Sequence, residues 1–206
     1  MTPFTIVHGP AVPLLIDNLD TDAIIRIDRL AAFGRQEIGP FALETLRQDP
    51  RSVLNRPEFA AAPILLGGRN FGCGSSREGA VWALAGYGFR SVVAESFGDI
   101  FFNNCFQNGV LPIRLERAKL ERLAALADGG DAVTVDLVAQ RLTFPDGSSE
   151  PIVVDAMKRA ALLDGLDDVT RTLRKQDAIA EWQAGDRGRR PWVWEGLGGG
   201  GRTGGG

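Results

Sequence analysis

Short apolar runs alternate with longer mixed segments through the middle of the chain, a pattern typical of strands that alternate with helices. The pattern predicts strands at 63–67, 91–94 and 110–115, separated by helices over about 76–86 and 97–107. Because parallel strands are joined by crossover segments that are usually helical, this alternation indicates βαβ units and a partly parallel sheet.

The beginning of the chain has a different pattern of apolar and polar residues. Residues 4–7 and 11–16 are strand-like runs that flank Gly9 and Pro10, and together they predict a hairpin. Residues 31–60 carry scattered glycine, proline and charge, which predicts a long irregular excursion. Excursions of that length inside a compact domain are usually functional.

The last third of the chain returns to short elements before it ends in a glycine-rich run. Strands are predicted at 132–138, 141–144 and 151–154, and helices at about 155–164 and 175–183. Residues 196–206 have no capacity to bury apolar surface. We therefore predict one domain over residues 1–185 and a flexible Gly/Arg-rich tail over residues 186–206.

The most informative stretch is the loop between the first predicted βαβ strand and its helix, residues 68–78, which reads Gly-Arg-Asn-Phe-Gly-Cys-Gly-Ser-Ser-Arg-Glu. Glycines let backbone amides approach a ligand, and a helix N-terminus offers unpaired N–H groups to a carboxylate or phosphate. The loop is therefore predicted to hold an anion. Ser75 to Glu78 also matches a capping box, a purely structural alternative that requires neither Ser76, Arg77 nor the three glycines.

Composition narrows the range of functions. The chain has 206 residues, 44% of them hydrophobic, and a net charge of −3. A protein that binds nucleic-acid phosphates usually has a basic face, so nucleic acid is not an expected partner. The start of the chain lacks a basic segment followed by an apolar one, and no stretch is apolar for the length of a bilayer. We expect a soluble cytoplasmic protein with no membrane partner.

The chain is poor in metal-binding side chains. His8 is its single histidine, so neither a zinc site built on several histidines nor a Ser-His-Asp triad can be assembled from it. Cys73 and Cys105 cannot supply the three or four thiolates that an iron–sulfur cluster usually takes from one chain. We expect two free thiols, no metal site, and any cluster on another chain.

A series of segments in fixed order resembles the small subunits of 3-isopropylmalate dehydratases, which belong to the aconitase superfamily. The resemblance covers roughly residues 10 to 183. Its segments are 19–25 (Leu-Asp-Thr-Asp-Ala-Ile-Ile), 70–78, 82–84, 87–90, 96–106 (Ser-Phe-Gly-Asp-Ile-Phe-Phe-Asn-Asn-Cys-Phe), 111–113, 165–168 and 177–180. So many motifs in one order make chance similarity implausible compared with a single short motif.

The resemblance implies a fold and an activity. The fold would be an α/β swivelling β/β/α domain like the mobile fourth domain of aconitases, with a mixed sheet and flanking helices. The chain would bind no cofactor itself and would dock onto a large subunit that carries a [4Fe–4S] cluster. The active site would form between the subunits. The implied hydro-lyase activity interconverts 2-isopropylmalate and 3-isopropylmalate in leucine biosynthesis.

The resemblance also assigns residues. Ser75 matches the family's catalytic base, which acts as an alkoxide, and Ser76 and Arg77 would bind the substrate carboxylate. Arg35, and with it Arg26, lies in the segment that would contact the variable part of the substrate, although an exposed arginine needs no such role. The residues expected to order the loop or line the site are Asp20, Thr21, Asp22, Gly72, Gly74 and Glu78. For Asp20 to Asp22, an ordinary turn with side-chain bonds is the alternative.

Three positions depart from the family pattern. Gly79 and Val81 stand where the family has histidine and proline, and Arg26 stands where it usually has proline. These departures leave other functions open. The chain could be a paralogous subunit acting on another hydroxy-dicarboxylate, such as a methylmalate or a homocitrate-like acid, or a non-catalytic regulatory pseudo-subunit. An unrelated α/β anion-binding module is a third class.

Overall fold

The computed structural model describes residues 1–75 and 77–194, apart from the side chain of Asp168. The chain divides into two compact units, Met1–Asp167 and a second that begins at Asp168. The first unit contains a mixed sheet with helices. The described part of the second unit is helical.

The described residues form one seven-stranded sheet with the order β4-β3-β2-β1-β5-β6-β7. The strands are β1 (Ile6–Pro13), β2 (Ile64–Leu66), β3 (Ser91–Ala94), β4 (Leu111–Arg114), β5 (Ala132–Asp136), β6 (Arg141–Thr143) and β7 (Ser149–Pro151). Strands β1 to β4 are parallel, whereas β5, β6 and β7 continue the sheet in antiparallel fashion. The partly parallel sheet predicted from the sequence is confirmed.

The predicted hairpin at the start of the chain is wrong. Strand β1 runs without interruption through Gly9 and Pro10. Its first half, Ile6 to Pro10, pairs antiparallel with β5, and its second half, from Ala11 onward, pairs parallel with β2. Each half draws its backbone hydrogen bonds from a different neighbour, so folding the run back on itself would lose both sets of bonds. Strand β1 thereby joins the parallel and antiparallel parts of the sheet.

The four helices predicted from the sequence are present, although the last one extends six residues beyond its predicted end, and the other helices of the described chain were not predicted. The helices are α1 (Thr21–Ile24), α2 (Ile27–Ala32), α3 (Glu44–Arg47), α4 (Glu78–Tyr87), α5 (Asp99–Gln107), α6 (Arg117–Ala127), α7 (Ala156–Asp164), α8 (Asp168–Leu173), α9 (Gln176–Arg189) and α10 (Pro191–Trp194). Helix α7 begins where Asp155 accepts hydrogen bonds from the amides of Met157 and Lys158. The strand predicted at 151–154 lies earlier, as β7.

The predicted tail begins inside a helix. Helix α9 continues to Arg189, and α10 follows it. In this unit Asp186 is buried and accepts hydrogen bonds from Arg190 and from Trp194 Nε1. The glycine-rich run predicted to be flexible, 196–206, lies outside the described residues, and the domain boundary at 185 stays a prediction. No helix in the part of the chain that is described has the length and apolar character needed to cross a membrane.

Apolar side chains pack on both faces of the parallel strands. Leu65 faces one hydrophobic cluster, whereas its neighbours Ile64 and Leu66 face another. This alternation follows from the two-residue period of a strand, and burial on both faces is typical of parallel sheets. Helix α4 packs in the first cluster, and α6 packs with the antiparallel strands in the second.

The predicted irregular excursion at 31–60 is confirmed, but it is well packed. It consists of α3 and three short 3-10 turns, at 39–41, 53–55 and 57–59. Ile38, Leu43 and Phe59 are buried in the first cluster. The excursion therefore forms part of the core beside α4.

Two glycines allow the excursion to reach α4. A Cβ atom on Gly39 would lie 2.4 Å from both the carbonyl carbon and the oxygen of Gly86, and a Cβ on Gly86 would lie 2.9 Å from Gly39 Cα. Distances that short are not tolerated between a side chain and backbone atoms. The two backbones can touch because both positions lack a side chain.

The close contact between Gly39 and Gly86 predicts that adding one methyl group at Gly39 lowers stability. Gly39→Ala should lower the free energy of unfolding by about 2 kcal/mol, because overpacking against rigid backbone forces a local shift. The midpoint of thermal unfolding should then fall by roughly 4–8 °C. Gly188→Ala is the control: a Cβ there meets nothing within 4 Å, so stability should not fall. A Gly39→Ala variant with wild-type stability would contradict the close approach.

Candidate functional site

The candidate site lies where the parallel strands end. The loops after β1, β2 and β3 leave the same edge of the sheet and meet there, through isolated bridges that pair Asp20 with Cys73 and Phe71 with Phe97. Ligands of open α/β sheets bind at the carboxyl ends of the strands. The glycine- and serine-rich loop singled out in the sequence is therefore in the position where this architecture places chemistry.

Asp17 anchors the beginning of that loop. Its Oδ1 atom accepts hydrogen bonds from the backbone amide of Arg69, at 2.8 Å, and from the guanidinium of Arg117, at 2.9 Å. The bond from the Arg69 amide, reinforced by Arg117, holds the pKa of the Asp17 carboxyl below its ordinary value. Asp17 therefore stays ionised at neutral pH and ties the loop to the segment that follows β1.

The Asp-Thr-Asp segment holds the next part of the loop through a regular set of contacts. Asp20 is bridged to Cys73, and the Thr21 amide donates to the Cys73 carbonyl at 3.0 Å. Thr21 Oγ1 donates to the Ser75 carbonyl at 3.0 Å, and Asp22 forms an ion pair with Arg77. Successive residues of one segment thus contact alternate residues of the other. These contacts support a loop-ordering role for the segment.

Asp20 also caps the short helix that carries this segment. Its Oδ1 atom accepts a hydrogen bond from the Ala23 amide at 2.8 Å, which fixes the first turn of α1. The side-chain turn considered as the alternative is therefore present. The side-chain turn at Asp20 and the loop-ordering role are compatible, because the turn presents Thr21 and Asp22 to the loop.

The two glycines predicted to shape the loop have different surroundings. Gly72 has a φ of +70° and lies so close to the Phe101 ring that a Cβ would be 2.3 Å from it. Gly74 has a φ of +86°, with the nearest atom 3.5 Å from the position of a Cβ. A side chain at Gly72 would meet both backbone strain and a clash, whereas Gly74 is required for its backbone conformation.

A cavity of about 360 Å³ opens beside Ser75. Its lining consists of Asn70, Gly72, Cys73, Gly74, Ser75, Gly98, Asp99, Ile100 and Phe101. Ser75 is exposed, and the first turn of α5 also lines the cavity. The volume lies within the range of small-molecule sites. The α5 side of the cavity presents the N–H groups of a helix N-terminus, which favour anions, together with the carboxylate of Asp99, which opposes them.

The capping-box interpretation is wrong. Helix α4 begins at Glu78, its cap residue is Arg77, and no side-chain hydrogen bond is made at that cap among the described residues. Ser75 lies three residues before the first helical residue, and its carbonyl accepts from Thr21 Oγ1, so Ser75 is too far back to cap the helix. Glu78 instead accepts a hydrogen bond from Asn108 Nδ2 at 2.9 Å.

The three arginines with predicted anion contacts lie in different places. Arg77 is largely buried, with 20% of its side chain exposed, and faces Asp22. Arg35 donates to Asn108 Oδ1 at 2.7 Å. Arg26 pairs with Asp28 at 2.9 Å and with Glu44 at 3.6 Å. None of the three contributes to the lining of the cavity described above, and Ser76 lies outside the described residues.

Asn108 is the residue that the sequence patterns missed. It is 9% exposed, and both the oxygen and the nitrogen of its side-chain amide form hydrogen bonds. Besides the bonds to Arg35 and Glu78, Nδ2 donates to the Asn104 carbonyl at 2.9 Å. In the sequence it is only an asparagine before Gly109 at the end of a predicted helix, a position where asparagine is ordinary. Its burial and its partners on distant segments could not be predicted.

The departure at Gly79 has a structural explanation. A Cβ at this position would lie 2.4 Å from Leu30 Cδ2, so the Leu30 side chain occupies the space beside the first turn of α4. The family's histidine could be placed there only if Leu30 moved. Val81, the second departure, is fully buried in the hydrophobic core.

The described residues do not fit an iron–sulfur cluster or another metal. Neither described range contains a group of three or more histidine, cysteine or acidic side chains placed to hold a metal ion. Cys73 and Cys105 are both free thiols. Burial raises the pKa of the Cys105 thiol well above its ordinary value, which keeps it protonated and inert. Cys73 Sγ lies 3.4 Å from the Asn18 carbonyl, beside the loop.

Comparisons with known proteins agree with this architecture. The aconitase C-terminal domain family matches residues 1–118. The 3-isopropylmalate dehydratase small subunit of Rhodospirillum centenum is 48% identical over 94% of this chain and 99% of its own length, and that of Allorhizobium ampelinum is 46% identical over 94% and 100%. The crystal structure of 3-isopropylmalate dehydratase from Methanocaldococcus jannaschii superposes with a TM-score of 0.65 at 27% identity, covering 86% of this chain and 99% of that one.

The Thr21 contact makes a testable prediction. Thr21→Val removes the hydroxyl that donates to the Ser75 carbonyl while keeping the side-chain shape, so it should destabilise the loop by about 1 kcal/mol. Amide hydrogen exchange at residues 73–77 should become faster by roughly fivefold, the equivalent of that free energy. Thr21→Ser retains the hydroxyl and should stay close to wild type. Wild-type exchange in the valine variant would show that this bond does not hold the loop.

Proposed function

Because the chain belongs to the family of 3-isopropylmalate dehydratase small subunits, we propose that it supplies half of a hydro-lyase active site. The proposed reaction interconverts 2-isopropylmalate and 3-isopropylmalate by dehydration and rehydration, as a step of leucine biosynthesis in the cytoplasm. The observation that carries the proposal is the placement of Ser75 in the cavity, on a loop that also holds Arg77.

The chemistry sets three requirements. Dehydration of a hydroxy-dicarboxylate removes a weakly acidic C–H proton next to a carboxylate while the hydroxyl leaves, so the site needs a base, an anion clamp and a Lewis acid. We assign the base and part of the clamp to this chain. A [4Fe–4S] cluster, which the described residues of this chain do not fit, would supply the Lewis acid from the large subunit.

Ser75 is the proposed base. An ordinary serine hydroxyl is too weakly acidic for this role, so its alkoxide must be stabilised by nearby positive potential and N–H donors in a site that excludes water. The first turn of α5 lines the same cavity, and α4 begins three residues after Ser75. The alkoxide would take the C–H proton, become a hydroxyl, and return the proton when water adds back to the other carbon.

Arg77 and Ser76 are the proposed carboxylate clamp. A guanidinium can hold a carboxylate with two parallel hydrogen bonds, which a lysine cannot do. Arg77 already faces a carboxylate, that of Asp22, whose side chain is 54% exposed. We propose that the substrate carboxylate competes with Asp22 for this guanidinium, and that Asp22 keeps Arg77 in position when substrate is absent.

The first experiment identifies the substrate. The chain is mixed anaerobically with its cluster-bearing large subunit, and dehydration is followed by absorbance for 2- and 3-isopropylmalate, citrate, homocitrate and methylmalates. We expect turnover of the isopropylmalates. Turnover of another acid alone would identify a paralogue, a result that Leu30 beside Gly79 would help to explain. No turnover despite complex formation would indicate a pseudo-subunit.

The second experiment tests the base. Ser75→Ala should lower kcat by at least about a hundredfold, the usual contribution of a general base, without preventing assembly with the large subunit. Ser148→Ala, in the turn between β6 and β7, is the matched control and should retain wild-type kcat. An unchanged kcat in Ser75→Ala would rule out the alkoxide mechanism.

A further inference from the structure

The segment from Leu30 to Gly39, here called the cover segment, lies along one face of α4. Leu30 packs on Gly79, the Arg35 guanidinium lies 5.2 Å from the centre of the Trp82 ring, and Gly39 touches Gly86. Positions 79, 82 and 86 share one side of a helix, because they are spaced by three and four residues. The cover segment is thus anchored at the beginning, middle and end of α4.

The middle anchor depends on Asn108. Its Oδ1 atom accepts from Arg35 Nη2 at 2.7 Å, and its Nδ2 atom donates to Glu78 Oε1 at 2.9 Å. One amide group therefore separates the Arg35 guanidinium from the Glu78 carboxylate. The hydrogen bond from Asn108 Nδ2 to the Asn104 carbonyl holds the Asn108 side chain against α5. Its buried position gives the amide little freedom to turn.

The Asn108 amide is neutral, so it does not compensate the positive charge of Arg35. An arginine that reaches a carboxylate directly forms an ion pair, and its charge is then compensated. The partners of Arg35 in the described structure are an amide oxygen and an indole ring, neither of which carries a negative charge. Arg35 is also exposed, so its charge remains available to a dicarboxylate. Removal of the amide would leave Arg35 and Glu78 free to pair.

We propose that Asn108 is a positioning residue that holds Arg35, and with it the cover segment, so that the charge of Arg35 contributes to dicarboxylate binding. Asn108 acts through Arg35 and does not touch substrate. This inference rests on the proposed function, since it concerns the affinity of the same site. It explains why a polar side chain is buried at the end of α5, beside the residue that follows Arg77.

A double-mutant cycle tests the proposal in the complex with the large subunit. Asn108→Ala and Arg35→Gln should each raise KM for the preferred dicarboxylate by about tenfold, because the positive charge of Arg35 is lost or moved away, and leave kcat within about twofold. The double variant should have the KM of either single variant, because both changes remove the same contribution. Asn103→Ala, an exposed asparagine on α5, is the control and should keep wild-type KM.

A second measurement does not require turnover. Amide hydrogen exchange of residues 33–37 in the isolated chain should be faster in Asn108→Ala and Arg35→Gln, and unchanged in Asn103→Ala. Additive effects on KM, or wild-type exchange in both variants, would overturn the proposal. Inactivity of the wild-type complex on every acid would instead contradict the proposed function, with the exchange data still deciding the role of Asn108. If Asn108→Ala fails to fold, Asn108→Asp takes its place in the cycle: it keeps the side-chain shape but puts a negative charge beside Arg35, so the same rise in KM is expected, and a wild-type KM would overturn the proposal.

Discussion

The site depends on the hydrogen bonds and the ion pair that join the Asp-Thr-Asp segment to Cys73, Ser75 and Arg77. A glycine-rich loop has many accessible conformations, and ordering each residue costs about 1–2 kcal/mol of backbone entropy. Contacts at Cys73, Ser75 and Arg77 offset that cost at alternate residues. The parallel strands bring the two segments to the same edge of the sheet, and the core clusters hold the strands.

Close packing shapes the face of α4 on which the cover segment lies. Its glycines at 79 and 86 let the cover segment approach at distances that side chains would forbid. Leu30 fills the space beside Gly79, where the histidine expected from the sequence resemblance would lie. Such a change alters what lies beside the loop while leaving Ser75 and Arg77 in place, and specificity can change in this way without loss of the chemistry.

Much of this arrangement could be predicted because it follows from local pattern. The apolar runs that became β2, β3 and β4 have the length of buried strands, and the loop after β2 carries its own signature. The predicted hairpin failed because Gly9-Pro10 is a turn signal only when the two flanking runs pair with each other, and β1 pairs with two other strands. The capping box failed because the helix begins at Glu78, with Arg77 rather than Ser75 in the cap position. Asn108 could not be identified, since its partners are 30 and 73 residues away.

The proposed role of Ser75 is to remove the carbon-bound proton of the substrate. The most direct measurement follows deuterium from heavy water into isopropylmalate, in the complex of this chain with its large subunit. The wild-type complex should incorporate deuterium at the carbon from which the proton is removed. Ser75→Ala should lose this exchange while still binding substrate. Exchange at the wild-type rate in Ser75→Ala would show that another group takes the proton.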